Sequence, residues 1–380
     1  MSEYQYYEFL AIDRPLGPSE TAALRSLSTR AEITSTRFQN TYNFGDFKGS
    51  PDTMMDRYFD AHVYVSNWGI RRLELRFSRG VIDREAPAQY SADEVLSFRS
   101  TDEHSIVQWE CSNESGGWVE GEGWMARLTS LRDEIERGDF RALYLGWLYG
   151  VSMGNVPEGE EEPPVPPGLG SLTAAQLSLC EFMGIDSDYV SAAAASSPPT
   201  EEPAVVLSRM SRWVDRISEM EAKNYVLLLL DGRSREAERK VRQDYAACLA
   251  DGGRVAGEDS HEHRRSVREL LKEVEKARAE RIEQEKIEQA HRNAEQRKLR
   301  ERYLCELAKD FELHWKKAHE FAEKGGASAY DQACDILVDL SEAYLLKRRR
   351  MEFTREIARF RAACARRGAL IRRMDNAGLK

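Results

Sequence analysis

The run from Ser260 to Glu306 narrows what this chain can build more than any other stretch. It holds neither glycine nor proline, and just over half of its residues are Lys, Arg or Glu. Most of the others are strong helix formers, so one continuous helix is predicted, with Glu262 to Arg302 uninterrupted, projecting from or bridging the helical modules on either side. At 1.5 Å per residue the run makes an arm of about 60 to 70 Å. Glu269 with Lys272, Glu273 with Lys276, Glu283 with Lys286 and Glu295 with Lys298 stand three apart, a spacing at which opposite charges support an isolated helix. The apolar positions Val267, Leu270, Leu271, Val274, Ala277, Ile282, Ile287, Ala290 and Ala294 hold a heptad for barely two repeats, a short pattern that gives a self-sufficient coiled coil little support. Three uses remain open for the arm: a spacer, a helix packed on a partner or on another part of this chain, or a homodimeric coiled coil.

An arm spans distance or meets another protein, whereas catalysis needs a concave pocket with convergent groups. No phosphate-cradling GxxxxGK[ST] occurs; Gly252, Gly253 and Gly257 surround Arg254 without the lysine and hydroxyl that hold phosphate and magnesium. GxSxG and HExxH are also absent. His261, Glu262 and His263 alternate, so on a helix the imidazoles diverge, and a solvated capping role fits them better than a metal. His314 and His319 are five apart, off the i, i+4 spacing of a shared metal. Glu158, Glu160, Glu161 and Glu162 read as a solvated charge run. No catalytic residue, cofactor or metal ligand is assigned, and the chain reads as non-enzymatic.

With 380 residues, 41% of them apolar, the chain has material for two or three domains with real cores. A net charge of −10 argues against wholesale coating of nucleic acid but leaves room for a local basic face. Six cysteines without a CxxC or CxC pair fit reduced thiols in the cytoplasm. The opening MSEYQYYEFLAIDRPL lacks a basic region followed by an apolar one, and the longest apolar run, Tyr225 to Leu230, is too short for a bilayer, so a soluble cytoplasmic protein away from membranes is expected.

The fold class expected is α+β: a small ferredoxin-like α/β N-terminal domain, then a mostly helical region with the charged arm and a C-terminal helical hairpin. Strands are expected over Tyr6 to Ile12, Ile33 to Phe44, Ile70 to Phe77 and Ile106 to Cys111, with another at Trp118 to Glu120. Helices are expected after Ser19 and from Ser50 to Ser66. Arg71, Glu74 and Arg76 are expected to face solvent or a partner. The domain reading is 1–154 for the α/β domain with a trailing helix, 155–170 for an acidic Pro-rich linker, 171–259 for a helical domain, 260–306 for the arm and 307–380 for a basic helical module.

Two groups stand out as candidate contact residues. In the C-terminal module a cluster of arginines, Arg348, Arg349, Arg359, Arg366 and Arg367 foremost, faces few carboxylates, and their forks suit phosphate or carboxylate equally. That face is solvated, meets an acidic protein, or meets nucleic acid; no exposed aromatics interleave with it as single-strand binding would ask. In the Gly45 to Gly49 turn, Phe47 and Lys48 offer an aromatic and a cationic anchor, unless Phe47 folds back as core.

Two stretches carry resemblances. YYEFLAIDRPL at Tyr6 to Leu16 and TRFQNTYNFGDFKG at Thr36 to Gly49 resemble the opening of a group of uncharacterised bacterial proteins, which implies no activity. YDQACDILVDLSEAYLLKRRRMEFTREIARFRAACARRGALIRRMDNAGL, Tyr330 to Leu379, resembles the C-terminal helical segment of some bacterial SWIM zinc-finger proteins, a group associated with nucleic-acid transactions. The zinc finger itself is missing, since there is no CxC with CxH. The resemblance implies protein partners and a place beside a DNA-acting machine such as a helicase or an antiphage system.

Overall fold

The computed structural model describes residues 3–78, 82, 88–112, 119–200, 203–252 and 264–379. Two compact units divide the chain, residues 1–280 and 281–380.

Seven strands form the sheet of the first unit: β1 Gln5–Leu10, β2 Glu32–Ile33, β3 Arg37–Tyr42, β4 Ala61–Ser66, β5 Ile70–Ser78, β6 Leu96–Ser100 and β7 His104–Ser112. Their order is β2-β3-β1-β4-β5-β7-β6, antiparallel at every pairing. This differs from the small ferredoxin-like sandwich expected, because β1 lies between two antiparallel neighbours and the hairpins β4–β5 and β6–β7 widen the sheet. The expected helix over Ser50 to Ser66 stops early: α2 is Pro51–Arg57, and Ala61–Ser66 pairs with β1 and β5. Val63 and Val65 alternate with His62 and Tyr64 there, a period of two that suits a strand buried on both faces. No strand forms at Val119 and Glu120, and Trp118 lies outside the described residues.

On β5, Leu73, Leu75 and Phe77 point to one face, and Arg72, Glu74 and Arg76 to the other. Arg71 therefore belongs to the apolar face, where it is buried and donates to the Phe182 carbonyl at 2.7 Å. Glu74 is buried too, so neither residue meets solvent as expected.

That apolar face is covered by α3 Trp124–Leu128, α4 Ser130–Glu136, α5 Arg141–Met153, α6 Ala174–Met183 and α7 Ser187–Ala194, with Trp109 and Trp147 at the centre. The opposite face carries α1 Pro18–Leu27 and α2 over Phe9, Phe38, Met54, Met55 and Phe59. Asn155 to Gly170 is no solvated linker: Val156 and Leu169 are in the core and Glu162 is 2% exposed. Its backbone pairs with the segment ahead of the arm, Glu162 N–H to Arg265 O and Val267 N–H to Glu160 O, both 2.9 Å. Helices α6 and α7, assigned to a separate domain from sequence, thus belong with the sheet. Beyond them in the chain come α8 Pro203–Val214, α9 Glu219–Leu230 and α10 Ser234–Gly252, which contact one another through Tyr225 on Asp244 at 2.6 Å and the Trp213–Tyr245 ring pair.

The arm is α11, Val267–Leu307, 41 residues. It starts later than Glu262 because Ser266 and Glu269 form a reciprocal cap: Ser266 Oγ accepts from Glu269 N–H, and Glu269 accepts from Ser266 N–H at 2.7 Å. Arg264 and Arg265 precede the helix; the His261 to His263 triplet and the Gly253 to Gly257 loop lie outside the described residues. Val267, Leu270 and Val274 enter the core of the first unit, whereas every residue from 278 to 299 is exposed. Of the expected charge pairs, Glu273–Lys276 and Glu283–Lys286 stand at 3.7 and 3.6 Å, while Glu295 meets His291.

The second unit packs the end of α11 with α12 Phe311–Lys324, α13 Ala327–Leu346, α14 Arg350–Ala363 and α15 Gly368–Asn376 around Leu304, Leu337, Leu340, Ile357, Phe360 and Leu370. The expected hairpin is α13 and α14. Among the described residues no helix is long and apolar enough to cross a membrane.

Candidate interaction site

The sheet brings together the most densely paired polar groups of the first unit. His62 on β4 and Glu74 on β5 are direct cross-strand neighbours, 0% and 1% exposed, and His62 Nδ1–H donates to Glu74 at 2.6 Å. The imidazole stacks on Phe9 at 4.0 Å, and its Nε2 has no hydrogen-bond partner among the described residues. Burial pushes the Glu74 carboxyl up, but the His62 bond and charge outweigh it and hold the group below its ordinary range. Asp60 behaves alike: burial is overcome by Arg76 at 2.6 Å and by the Ile12 and Asp13 backbone N–H groups. An imidazole beside a carboxylate is a familiar proton-transfer pair, but a substrate must reach it. Closed under Phe9 and neighbouring side chains, this one works as a clamp between strands. Sequence alone offered one cue, the polar His62 in the otherwise apolar AHVYV; Glu74 stands in the alternating IRRLELRF, where a charge reads as solvent-facing.

Phe47 is half-buried, with its ring 5.1 Å from Tyr7, 5.9 Å from Phe38 and 6.2 Å from Tyr42. The turn folds it back, and a Cβ on Gly49 would lie 2.6 Å from its ring, so glycine is what admits this close approach. Lys48 is exposed. Replacing Phe47 by Ala should therefore lower the stability of the first unit by about 2 kcal/mol, part of the full cost of emptying an aromatic site. Thermal melting checks this; an unchanged midpoint with weakened partner binding would return Phe47 to the surface.

The five arginines divide by what they touch. Arg349 is paired with Glu352 and lies over the Phe311 and Tyr344 rings; Arg359 is paired with Glu356 at 2.8 Å. Arg367 donates to the Ala322 and Glu323 carbonyls, closing the C-terminal end of α12. Arg348 and Arg366 are exposed and hold no ion pair among the described residues. Arg361 and Arg373 are also engaged, with Asp375 and Asp331. Arg361, Arg367 and Arg373 thus tie separate elements of the unit together, while Arg349 and Arg359 are held in exposed pairs with residues of α14. The unit is still basic: residues 281–380 carry 23 Lys and Arg against 17 Asp and Glu, while residues 1–280 carry 32 against 48.

A feature that sequence patterning did not single out lies on α8 and α9. Val205, Leu207, Val214, Met220, Val226, Leu227, Leu229 and Leu230 are each 51 to 80% exposed. Single exposed aliphatics are ordinary, but eight within 26 residues are not. The signal was in the run YVLLLL, apolar on more sides than one small helical layer can cover. Compared with protein-family models, with curated proteins and with solved structures, the chain gives no match in any of the three.

Proposed function

We propose that the chain is a non-enzymatic interaction or scaffold subunit of a multi-protein complex, of the bacterial DNA-acting or antiphage kind that the C-terminal resemblance implies. The observation that carries this reading is the exposed aliphatic set on α8 and α9. Such a surface loses free energy in water at roughly 25 cal/mol for each Å² left uncovered, and a protein partner is the cover that relieves it. The exposed stretch 278–299 of α11 supports the same reading, since a helix with solvent all round serves reach or contact rather than chemistry.

The test is a double substitution, Leu227→Glu with Leu230→Glu, in the full chain. Both side chains are already in solvent, so helix content and melting midpoint should hold within a degree or two, while recovery of co-purifying protein from native extract should fall at least tenfold, the effect expected for losing anchors at an interface centre. A large drop in melting midpoint would mean the leucines are internal packing, and unchanged recovery would remove the reading. A second reading, an accessory subunit that binds nucleic acid through the C-terminal helices, is favoured by the net positive charge of residues 281–380. Against it stands the engagement of Arg349, Arg359, Arg361, Arg367 and Arg373 within the unit.

A further inference from the structure

The corner where α13 turns into α14 combines exposed cations, exposed apolar side chains and a strained backbone. Helix α13 ends in a Schellman arrangement: Arg349 N–H reaches back to Tyr344 O at 2.8 Å and Arg348 N–H to Leu345 O at 3.0 Å. The residue at the left-handed position of this motif is Arg348, at φ 57°. Glycine takes that conformation without cost and dominates it; a side chain there is kept at an energetic disadvantage. Backbone strain of this kind points to a use for the side chain. On either side, Lys347 and Arg350 are exposed and, like Arg348, without an ion pair among the described residues, while Leu345 and Met351 are 62% and 80% exposed.

Beside this corner α11 is exposed at every residue from 281 to 299. Tyr303 and Arg300 bind Asp339 and Glu342 of α13, at 2.6 to 2.9 Å, so the two helices run alongside each other in opposite directions. Leu346 is the last residue of α13, and an open cleft whose lining includes Arg297, Arg300, Leu304, Leu346 and one carboxylate, Glu301, lies at the step where it stops. A further helix laid there would continue along α11 on the track that α13 leaves.

We infer that this step is the docking site for an acidic amphipathic helix of a partner protein. Its carboxylates would face Arg297, Lys347, Arg348 and Arg350, and its apolar side chains would meet Leu346 and Met351. Charge selects the sign of the partner. The aliphatic neighbours select its class: nucleic acid offers phosphate and stacking bases, and the exposed ring beside the step, Tyr303, is already held by Asp339 and covered by Arg300. A concave step beside a helix fits another helix better than a flat bilayer does. The inference extends the interaction reading to a second surface and uses nothing on α8 or α9, so each stands or falls separately.

The test uses the full chain and a fluorescent helical peptide of about 20 residues, with Glu on one face and Leu on the other. Duplex DNA and phosphatidylserine vesicles serve as rival probes. The peptide should bind more tightly than either, and binding should weaken at least tenfold when Lys347, Arg348 and Arg350 are reversed to Glu, as three lost charge contacts require. Reversal of Arg366 and Arg372 should change it less than threefold, since these lie away from the step. Arg348→Gly separates docking from folding: the melting midpoint should hold or rise as the strain is relieved, while peptide affinity falls. The inference is overturned if the peptide fails to bind at about 1 mM, if DNA or vesicles bind more tightly, if both reversals act equally, or if Arg348→Gly leaves affinity unchanged.

Discussion

Replacing His62 by Ala is expected to lower the stability of the first unit by about 3 to 5 kcal/mol, because Glu74 then remains buried without the group that compensates its charge. In a unit of this size that is a fall in melting midpoint on the order of 10 °C. The sign of the pH dependence follows from the depressed Glu74 carboxyl. Its contribution is complete above the unfolded value of about 4.3 and is lost as pH falls through the lower folded value. In the variant the bond and charge of His62 are gone, burial is opposed only by the charges of Arg72 and Arg99, and the carboxyl moves up from its wild-type position. The gap between wild type and variant should therefore be full only above the variant's upward-shifted carboxyl value, narrow as pH falls through it, and close once the wild-type carboxyl is neutral too. Thermal melts across that range decide the matter; a gap that persisted undiminished into strong acid would mean that His62 acts through packing on Phe9 and not through Glu74.

The second large effect is expected at the strap over the sheet unit. Glu162 is 2% exposed, and its carboxylate accepts from Arg265, at 2.9 Å through one Nη, and from the Tyr144 hydroxyl. Arg265→Ala leaves that carboxylate buried with a single neutral donor and should cost about 3 to 5 kcal/mol. Replacing both partners, Glu162→Leu with Arg265→Met, removes charge together with countercharge and should cost far less than the single change. Chemical denaturation of wild type, Glu162→Leu, Arg265→Met and the double variant measures the coupling directly. If the double variant is as unstable as the sum of its parts, the pair contributes by shape rather than by charge compensation.

Strands β1, β3, β5 and β7 and most helices of both units were readable because their periodicities are clean, whereas β6, the short Leu96–Ser100, was not read. IRRLELRFS alternates, and the stretch before Leu307 has no breaker. Misreadings arose where a local pattern supported two answers. Tyr58 to Ser66 carries an apolar set that also fits a helix stripe, and only pairing with β1 and β5 settles it as a strand. The Pro-rich segment reads as solvated because four glutamates stand close together, yet one of them meets an arginine 103 residues away, a contact no local pattern contains. The Ser266 to Glu269 cap, by contrast, was in plain view as S-x-x-E before an apolar run and marks the true start of the arm. The arginines of the C-terminal unit were visible as a composition, but which of them are engaged depends on helix packing. The left-handed backbone at Arg348 depends on where α13 stops, which sequence places only to within a residue or two.

A protein that keeps many aliphatic side chains in water runs the risk of sticking to itself, and its sheet is a second route to that outcome. Here the outermost strands limit the route. Among the described residues the sheet ends on one side at β2, two residues long, and on the other at β6, five residues long. Neither provides a ladder of free amides and carbonyls long enough to seed cross-molecule strand growth. Self-association, where it occurs, is thereby steered to side-chain contact on the helices, which is reversible, and away from fibrous stacking, which is not.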